Sequence, residues 1–235
     1  MRPAPSYLPG ARVGVGGAGP VAGPVPEIVV VGLTGGIACG KSTAADALEA
    51  EGAPVCRSDL VARRVVEPGE PALTEIVAAF GPDVLDADGH LARRRLADRI
   101  FADGLARRRL EAITHPRIRE CTLGWLRQQA AAGARAAVFE IPLLFEAGYA
   151  EPGSFVDRIW VVAVPAQVQL QRLMWRDGLD PAAAQARLAA QWPIAVKVRR
   201  ADLVLRNEDS PADLAERCRK AWRALQAELG RAGER

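Results

Sequence analysis

The residues best suited to chemistry lie in the stretch LTGGIACGKST, residues 33–43. Its residues Gly35, Gly40, Lys41 and Ser42 fit the pattern G-x-x-x-x-G-K-S. Glycines let backbone N–H groups curl around phosphate oxygens, a lysine bridges β- and γ-phosphates, and a hydroxyl holds Mg²⁺. An apolar run precedes the loop and good helix formers follow it, so nucleoside triphosphate binding is favoured over an ordinary glycine-rich turn.

A carboxylate follows the second apolar run of the chain. The segment PVCRSDLVAR, residues 54–63, places Asp59 where a strand is expected to end, and doubly wound proteins bind their ligands at that edge of the sheet. A carboxylate there can accept the proton of an attacking hydroxyl. Alternatively, Ser58 or Asp59 only caps the next helix, and the residues alone leave both interpretations open.

Two arginines further along the chain suit phosphoryl transfer. Arg172 and Arg176 are four residues apart, so they share one face of a helix. Two guanidinium groups that converge on a transferring phosphoryl group would offset its negative charge. Without further context the same pair is typical of a solvated helix face.

Apolar runs that alternate with helical segments predict the elements that position these residues. The five runs are EIVVVGL (27–33), APVCR (53–57), ARAAVFEI (134–141), DRIWVVAV (157–164) and DLVLR (202–206). Near-continuous apolar strands separated by helices indicate a parallel sheet that is covered on both faces. The predicted fold class is therefore α/β, with a doubly wound five-stranded parallel sheet like that of P-loop NTPases.

The remaining segments are predicted to be mainly helical. About 75 residues separate the second and third runs, which is too long for one crossover helix and predicts an inserted helical lobe at about 60–133. Further helices are expected near 166–177 and 181–200. A last helix is expected from about Pro211 to Leu229, with Ser210 as its N-cap.

The first 26 residues are rich in Gly and Pro and predict a flexible leader. Within them, Gly14, Gly16 and Gly19 match the dinucleotide fingerprint by spacing, but prolines follow where that motif needs a helix, so the match is weak. The main domain is expected at about 27–230 and a short tail at 231–235.

Composition excludes several classes of function. The net charge is +3, from 31 basic and 28 acidic residues spread along the chain, so neither a nucleic-acid arm nor a nucleic-acid partner is expected. No apolar run approaches the ~20 residues that span a bilayer, so no membrane partner is expected. The four cysteines and two histidines have no zinc-site spacing, and we expect a reducing, cytoplasmic location.

Several longer motifs together resemble the dephospho-coenzyme A kinase family. They occur in order from about residue 28 to residue 220, and they are LTGGIACGKST, SDLVARRVVEPGEPAL, FGPDVL with ADGHL, RRRLADRIFAD, LEAITHPRI, IPLLFEAG, LQRLMWRDG and RRADLVLRN. The resemblance implies transfer of the ATP γ-phosphate, with Mg²⁺, to the 3'-hydroxyl of the dephospho-CoA ribose. The products would be coenzyme A and ADP.

The resemblance also implies roles for individual residues. Asp59 would be the general base, and Lys41 would be catalytic as well as phosphate-binding. Arg172 and Arg176 would be catalytic residues of a lid at about 166–192. The acceptor would contact Arg63, His115, Pro142 and Leu143, with His115-Pro116 expected to start a helix. The metal would be held by Ser42 and by Glu140 at the end of the third strand. ATP would be bound by Gly35, Gly36, Ile37, Ala38, Cys39, Gly40, Lys41, Ser42, Thr43 and Asn207.

The chain departs from the family pattern at a few positions. Ala38-Cys39 stands where Gly-Ser is usual, and Arg57 and Arg206 replace acidic residues. Ala38 is expected to be harmless only if its backbone does not need a positive φ. For Cys39, one hypothesis is a thiol with a lowered pKa that reacts with oxidants, and the alternative is an inert small residue.

Two rival functions remain open on the sequence. One is another nucleoside or nucleotide kinase of the same architecture, and the other is a non-catalytic nucleotide sensor. A sensor needs neither Asp59 nor the pair Arg172 and Arg176, so the presence of all three favours an enzyme. We expect a monomer or a weak homo-oligomer.

Overall fold

The computed structural model of the chain describes residues 28–232. The predicted leader, with its glycine fingerprint, lies outside this range, as do residues 233–235 of the predicted tail. Within the described residues the chain divides into two compact units. Ser58–Arg127 is called the helical unit below, and residues 28–57 with 128–232 are called the sheet unit.

The sheet unit contains five parallel strands, which confirms the predicted fold class. Their order across the sheet is β2-β3-β1-β4-β5. Each lies within or overlaps one of the predicted apolar runs, and they are β1 Val29–Gly35, β2 Val55–Arg57, β3 Ala136–Glu140, β4 Arg158–Ala163 and β5 Leu203–Arg206.

The apolar content of the strands explains why they form this sheet. All five residues of β3 are buried, as are six of the seven in β1. Strands covered on both faces are typical of parallel sheets, whose crossover helices pack on either side. The core includes Val31, Val138 and Trp160 from the strands together with Leu48 and Leu225 from helices.

Helices account for much of the rest of the described chain, with turns and loops between them. In order they are α1 Lys41–Ala50, α2 Ser58–Arg64, α3 Pro71–Phe80, α4 Arg93–Ala102, α5 Gly104–Ala131, α6 Ala166–Asp177, α7 Pro181–Ala189, α8 Ile194–Arg199 and α9 Pro211–Ala232. Across residues 28–232, none of these helices has the length and apolar content to cross a membrane.

Two predicted helix boundaries change in the structure. The single helix expected at 181–200 is divided into α7 and α8, because Pro193 disfavours helical geometry in the residue before it. The last helix continues to Ala232 rather than ending near Leu229. Its start is confirmed: the Ser210 hydroxyl accepts from the Asp213 N–H at 3.2 Å, and an Asp213 oxygen accepts from the Ser210 N–H at 3.1 Å.

The helical unit contains α2, α3, α4 and most of α5, with a short 3-10 turn at Pro82–Val84. The prediction that His115-Pro116 starts a helix is wrong, because both lie inside α5. The start signal is instead Asp103, whose carboxylate accepts from the N–H groups of Leu105 and Ala106 at 2.8 and 3.2 Å. Proline removes a single hydrogen bond from this long helix, and the helix continues beyond it.

Candidate active site

The predicted phosphate-binding loop joins β1 directly to α1. β1 ends at Gly35 and α1 begins at Lys41, so the first N–H groups of α1 lack intrahelical partners. Gly40 precedes the helix with φ 90°, a left-handed conformation that favours glycine. The strand, loop and helix therefore have the arrangement that binds phosphate through backbone N–H groups and a helix N-terminus.

The loop lysine and the first hydroxyl of the helix face different partners. Lys41 Nζ donates to the carbonyl oxygen of Gly36 at 2.9 Å and approaches that of Gly35 at 3.5 Å. The Ser42 hydroxyl lies 3.5 Å from an oxygen of Glu140. The ammonium group is thus held against the loop, and the hydroxyl and carboxylate lie side by side at the end of β3.

Arg57 occupies the strand position directly opposite Glu140. Its guanidinium donates to the second Glu140 oxygen at 3.3 Å, to Asp46 at 2.6 Å and approaches Glu49 at 3.4 Å. The positive charge that the sequence adds at this position is therefore shared among three carboxylates. Because Arg57 binds one Glu140 oxygen, the carboxylate is oriented with the other oxygen toward Ser42.

Three side-chain amides hold the backbone of the loop. Gln169 of α6 donates to the carbonyl oxygen of Ile37 at 2.8 Å, and the Ile37 N–H donates to the side-chain oxygen of Gln191 at 3.0 Å. Asn207, which follows β5, donates to the carbonyl oxygen of Cys39 at 2.9 Å. Gln169 and Asn207 are both buried, so these hydrogen bonds are protected from competition by water.

Two glycines of the loop make room for these amides. A Cβ atom at Gly36 would overlap the side-chain nitrogen of Gln169, and one at Gly40 would overlap that of Asn207. A Cβ at Gly35 would meet the backbone oxygen of Val162 in β4. The glycines therefore serve the packing of the loop against its own supports as well as the approach of a ligand.

Ala38 lies between these supports in the left-handed region, with φ 60°. Among the described residues it is the only non-glycine residue with a positive φ. The condition under which Ala38 was expected to be harmless, a backbone that does not need a positive φ, is therefore not met. An alanine in this region costs about 1–2 kcal/mol relative to its ordinary conformation. Such strain persists only where the surroundings fix the backbone.

The thiol of Cys39 is fully buried. Burial raises the pKa of the Cys39 thiol, and the nearby charge of Lys41 offsets that effect only in part. A raised pKa leaves little thiolate at neutral pH, and the thiolate is the reactive form. The hypothesis of a lowered pKa at Cys39 is therefore wrong, and the structure favours the inert alternative.

The two arginines of the predicted lid, Arg172 and Arg176, both lie on α6. Arg176 binds Asp177 through two contacts of 2.7 and 3.1 Å, and Arg187 of α7 binds the same carboxylate at 2.7 Å. The hydrogen bond from Arg176 is the main reason that the pKa of Asp177 is lowered. Arg172 is half-buried, and no hydrogen bond or ion pair joins it to another residue within 28–232.

The other predicted site residues are distributed between the two units. Asp59 and Arg63 lie on α2 of the helical unit, which follows β2 without a loop, and both are exposed. His115 is an exposed residue of α5. Pro142 and Leu143 follow β3 in the sheet unit, and the Thr34 hydroxyl lies 3.4 Å from the carbonyl oxygen of Pro142. The roles given to these residues stay predictions.

A buried ion pair that the sequence did not indicate lies beside Gln191. The ammonium group of Lys197, which has no exposed surface, lies 2.8 Å from Glu146. The same Glu146 oxygen accepts from the Trp192 N–H at 2.8 Å. Burial alone would raise the pKa of Glu146, but Lys197 and the Trp192 N–H outweigh it and lower the pKa from its ordinary value of 4.5.

Sequence reasoning missed Gln169, Gln191 and this ion pair for a common reason. Glutamines and lysines on helices are mostly exposed, so their types give no sign of burial. The available signal was Pro193, which predicts that the helix breaks beside Gln191. The contact of both glutamines with Ile37 depends on tertiary structure and has no local pattern.

The donor groups at the end of β3 suit magnesium. Ser42 and Glu140 offer a hydroxyl and a carboxylate 3.5 Å apart, both hard oxygen ligands. Mg²⁺ typically takes one or two protein oxygens and completes its shell with water and substrate phosphates. The residues therefore fit the metal that the loop implies.

Comparisons with known proteins agree with this geometry. The family model for dephospho-CoA kinase matches residues 29–213. The dephospho-CoA kinase of Anaeromyxobacter dehalogenans is 49% identical over 202 residues, which cover 86% of this chain and 94% of that relative. That of Moorella thermoacetica is 49% identical over 201 residues, which cover 85% and 93%.

Solved structures extend the similarity to three dimensions. A crystal structure of a Thermus thermophilus protein matches with a TM-score of 0.71 and 35% identity, covering 86% of this chain and 98% of that one. The dephospho-CoA kinase of Campylobacter jejuni matches with a TM-score of 0.64 and 30% identity, covering 83% and 96%. With the strand, loop and helix geometry, these matches show that the chain belongs to the dephospho-CoA kinase family.

Proposed function

We propose that this chain transfers the γ-phosphate of ATP to the 3'-hydroxyl of dephospho-CoA, giving coenzyme A and ADP. The observation that carries the proposal is the extent of the family match, residues 29–213. That range includes the phosphate-binding loop, Asp59 and both arginines of the predicted lid. The match therefore supports the binding of an acceptor as well as of a nucleotide. A cytoplasmic location, which rests on composition, and a monomeric or weakly oligomeric state belong to the same proposal.

The sheet unit would bind the nucleotide. Backbone N–H groups of residues 35–43 and the ammonium group of Lys41 would bind phosphate oxygens, for which Lys41 leaves the carbonyl of Gly36. Asn207 would border the base. Ser42 and Glu140 would hold Mg²⁺, which when bound neutralises charge on the phosphates.

Asp59 would act as the general base. Its carboxylate would accept the proton of the 3'-hydroxyl while the ribose oxygen bonds to the γ-phosphorus and the bond from that phosphorus to the bridging oxygen breaks. Arg172 and Arg176 would offset the charge that develops on the phosphoryl group. Arg63, His115, Pro142 and Leu143 would bind the acceptor.

ADP release from ATP and magnesium, measured with and without dephospho-CoA, tests the proposal. The wild type, Asp59→Asn and Asp98→Asn are compared. Asp98 is a matched control because it is another exposed carboxylate of the helical unit. We expect acceptor-dependent release in the wild type and in the control, and a loss of about 10² to 10⁴ in rate for Asp59→Asn.

The acceptor is tested in the same assay. Free nucleosides and nucleoside monophosphates replace dephospho-CoA, and we expect them to stimulate release far less. If one of them is preferred, the chain is a different nucleotide kinase. If ATP binds and no acceptor stimulates release, the sensor interpretation is correct and the proposed activity is wrong.

A further inference from the structure

Both ends of the lid segment, residues 166–192, bind the same residue of the phosphate-binding loop. Gln169 lies in the first turn of α6 and donates to the Ile37 carbonyl oxygen, and Gln191 follows α7 and accepts from the Ile37 N–H. We propose that Gln169 and Gln191 are positioning residues that fix the phosphate-binding conformation of the loop and connect it to the lid.

The bonded groups belong to consecutive peptide planes. The Ile37 N–H lies in the plane that also contains the Gly36 carbonyl, which accepts from Lys41 at 2.9 Å and from the Cys39 N–H at 3.3 Å. The Ile37 carbonyl lies in the next plane, whose orientation depends on the φ angle of Ala38. Gln191 and Gln169 therefore each fix one of the two planes that precede the strained residue.

This arrangement explains how Ala38 keeps its left-handed conformation. Alanine leaves that region readily when the neighbouring peptides are free to rotate, because its ordinary conformations are lower in energy. The hydrogen bond from Gln169 holds the peptide before Ala38, and the bond from Asn207 to the Cys39 carbonyl holds the chain after it. Strained residues persist where surrounding contacts determine the backbone in this way.

Both glutamines are themselves held in place. Gln169 is 5% exposed, and Leu173, one turn further along α6, is fully buried. Gln191 precedes Trp192, whose N–H donates to Glu146 and whose ring stacks on Phe145 with centroids 5.7 Å apart. The hydrogen bonds to Ile37 therefore come from fixed supports rather than from mobile surface side chains.

The same contact positions the lid arginines. Arg172 and Arg176 follow Gln169 on α6 by three and seven residues, so all three lie on one side of the helix. A hydrogen bond between Gln169 and the loop thus sets the distance of the arginines from the bound phosphates. This part of the inference rests on the proposed function, whereas the effect on the loop concerns nucleotide binding alone.

Nucleotide binding measured by calorimetry, with ATP and no acceptor, tests the inference. The variants are Gln169→Met and Gln191→Met, which keep side-chain length and remove the hydrogen bond. The control is Gln171→Met, an exposed glutamine of the same helix. We expect each of the first two to weaken ATP binding by about 10-fold or more, and the control to leave it unchanged.

Adding Ala38→Gly to each variant distinguishes positioning from a general loss of structure. Glycine adopts the left-handed conformation without a steric penalty, so it should recover part of the lost affinity in both glutamine variants. The gain in affinity from Ala38→Gly should be larger in the glutamine variants than in the wild type, because the wild-type loop is already fixed by both glutamines. If the effects of Ala38→Gly and of the glutamine substitutions on the free energy of ATP binding are additive, the inference is wrong. It is also wrong if Gln169→Met and Gln191→Met fold and bind ATP with unchanged affinity.

Steady-state kinetics then separates this inference from the proposed activity. If the chain phosphorylates dephospho-CoA, we expect Gln169→Met to raise the KM for ATP and lower kcat while the KM for dephospho-CoA stays within about 2-fold. If dephospho-CoA is not an acceptor, the calorimetric measurement of ATP binding still tests the effect of the glutamines on the loop. Should Gln169→Met not fold, Gln191→Met decides the question, because Gln191 is only half-buried and is expected to tolerate substitution.

Discussion

The sheet unit holds some charged side chains in buried ion pairs, whereas a comparable pair in the helical unit is partly exposed. In the sheet unit Lys197 is fully buried against Glu146, and Arg57, with 16% of its side chain exposed, contacts three carboxylates. In the helical unit the pair Arg117 and Glu75 is 31% and 46% exposed. These charges of the sheet unit are therefore fixed by burial, whereas the pair in the helical unit is screened by solvent and can rearrange at little cost.

The largest expected effect comes from breaking the buried pair. Lys197→Met leaves Glu146 without its counter-charge, and breaking a buried ion pair costs about 3–5 kcal/mol. We expect a loss near 3 kcal/mol, because Glu146 keeps 18% of its side chain exposed. In a chain of this length the melting temperature should fall by roughly 6–12 °C, as measured by circular dichroism.

The matched control is the double variant Lys197→Met with Glu146→Gln. It removes both charges, so most of the lost stability should return. If the double variant is as unstable as the single one, the side-chain packing of Lys197 rather than its charge is responsible. In that case the contrast between the two units would not be electrostatic.

Acid should weaken the same pair. The pKa of Glu146 is lower in the folded state than its ordinary value of 4.5, so the unfolded chain binds the proton more tightly. The stability that the pair contributes is complete above the ordinary pKa and is lost as pH falls through the lower pKa of the folded state. Urea unfolding at several pH values should show the wild type losing its advantage over the double variant below about pH 4.5. An advantage that shows no decline as the pH falls below 4.5 would contradict this assignment.

A smaller effect is expected at the strained residue of the loop. Ala38→Gly removes a left-handed alanine with φ 60° and should stabilise the protein by about 1 kcal/mol, since the relief exceeds the entropic cost of glycine. Ala186→Gly, at an exposed position inside α7, should instead destabilise it by about 1 kcal/mol. Thermal unfolding of the two variants should therefore shift in opposite directions. A shift in the same direction would mean that φ at residue 38 is not strained.

The sequence predicted the sheet better than it predicted the supports of the loop. Strands such as β3 are short runs of apolar residues, a local signal that needs no tertiary information. The G-x-x-x-x-G-K-S pattern is equally local, because the geometry of phosphate binding is built within one loop. Both the strands and the phosphate-binding loop could therefore be predicted from the sequence.

The hydrogen bonds that hold the loop could not be predicted from the sequence, because they join residues that are far apart in the chain. Gln169 and Ile37 are 132 residues apart, and Asn207 and Cys39 are 168 apart. Asn207 was predicted to border the base, and the structure adds a contact to the loop that its sequence position did not indicate. The effect of Ala38 was predicted to depend on the sign of its φ angle. That sign is set by the folded backbone and has no local sequence pattern.

The smallest effect is expected in the helical unit. Arg117 contacts Glu75 at 3.1 Å and Glu120 at 3.6 Å, both in partly exposed positions. Arg117→Met, the same kind of change as Lys197→Met, should cost less than about 1 kcal/mol, because solvent already screens the pair. Most of that difference should disappear at 1 M salt, where the screening length is about 3 Å. A loss above about 2 kcal/mol would show that the helical unit also depends on fixed charges, since exposed pairs do not contribute that much. The contrast with the buried pairs of the sheet unit would then not hold.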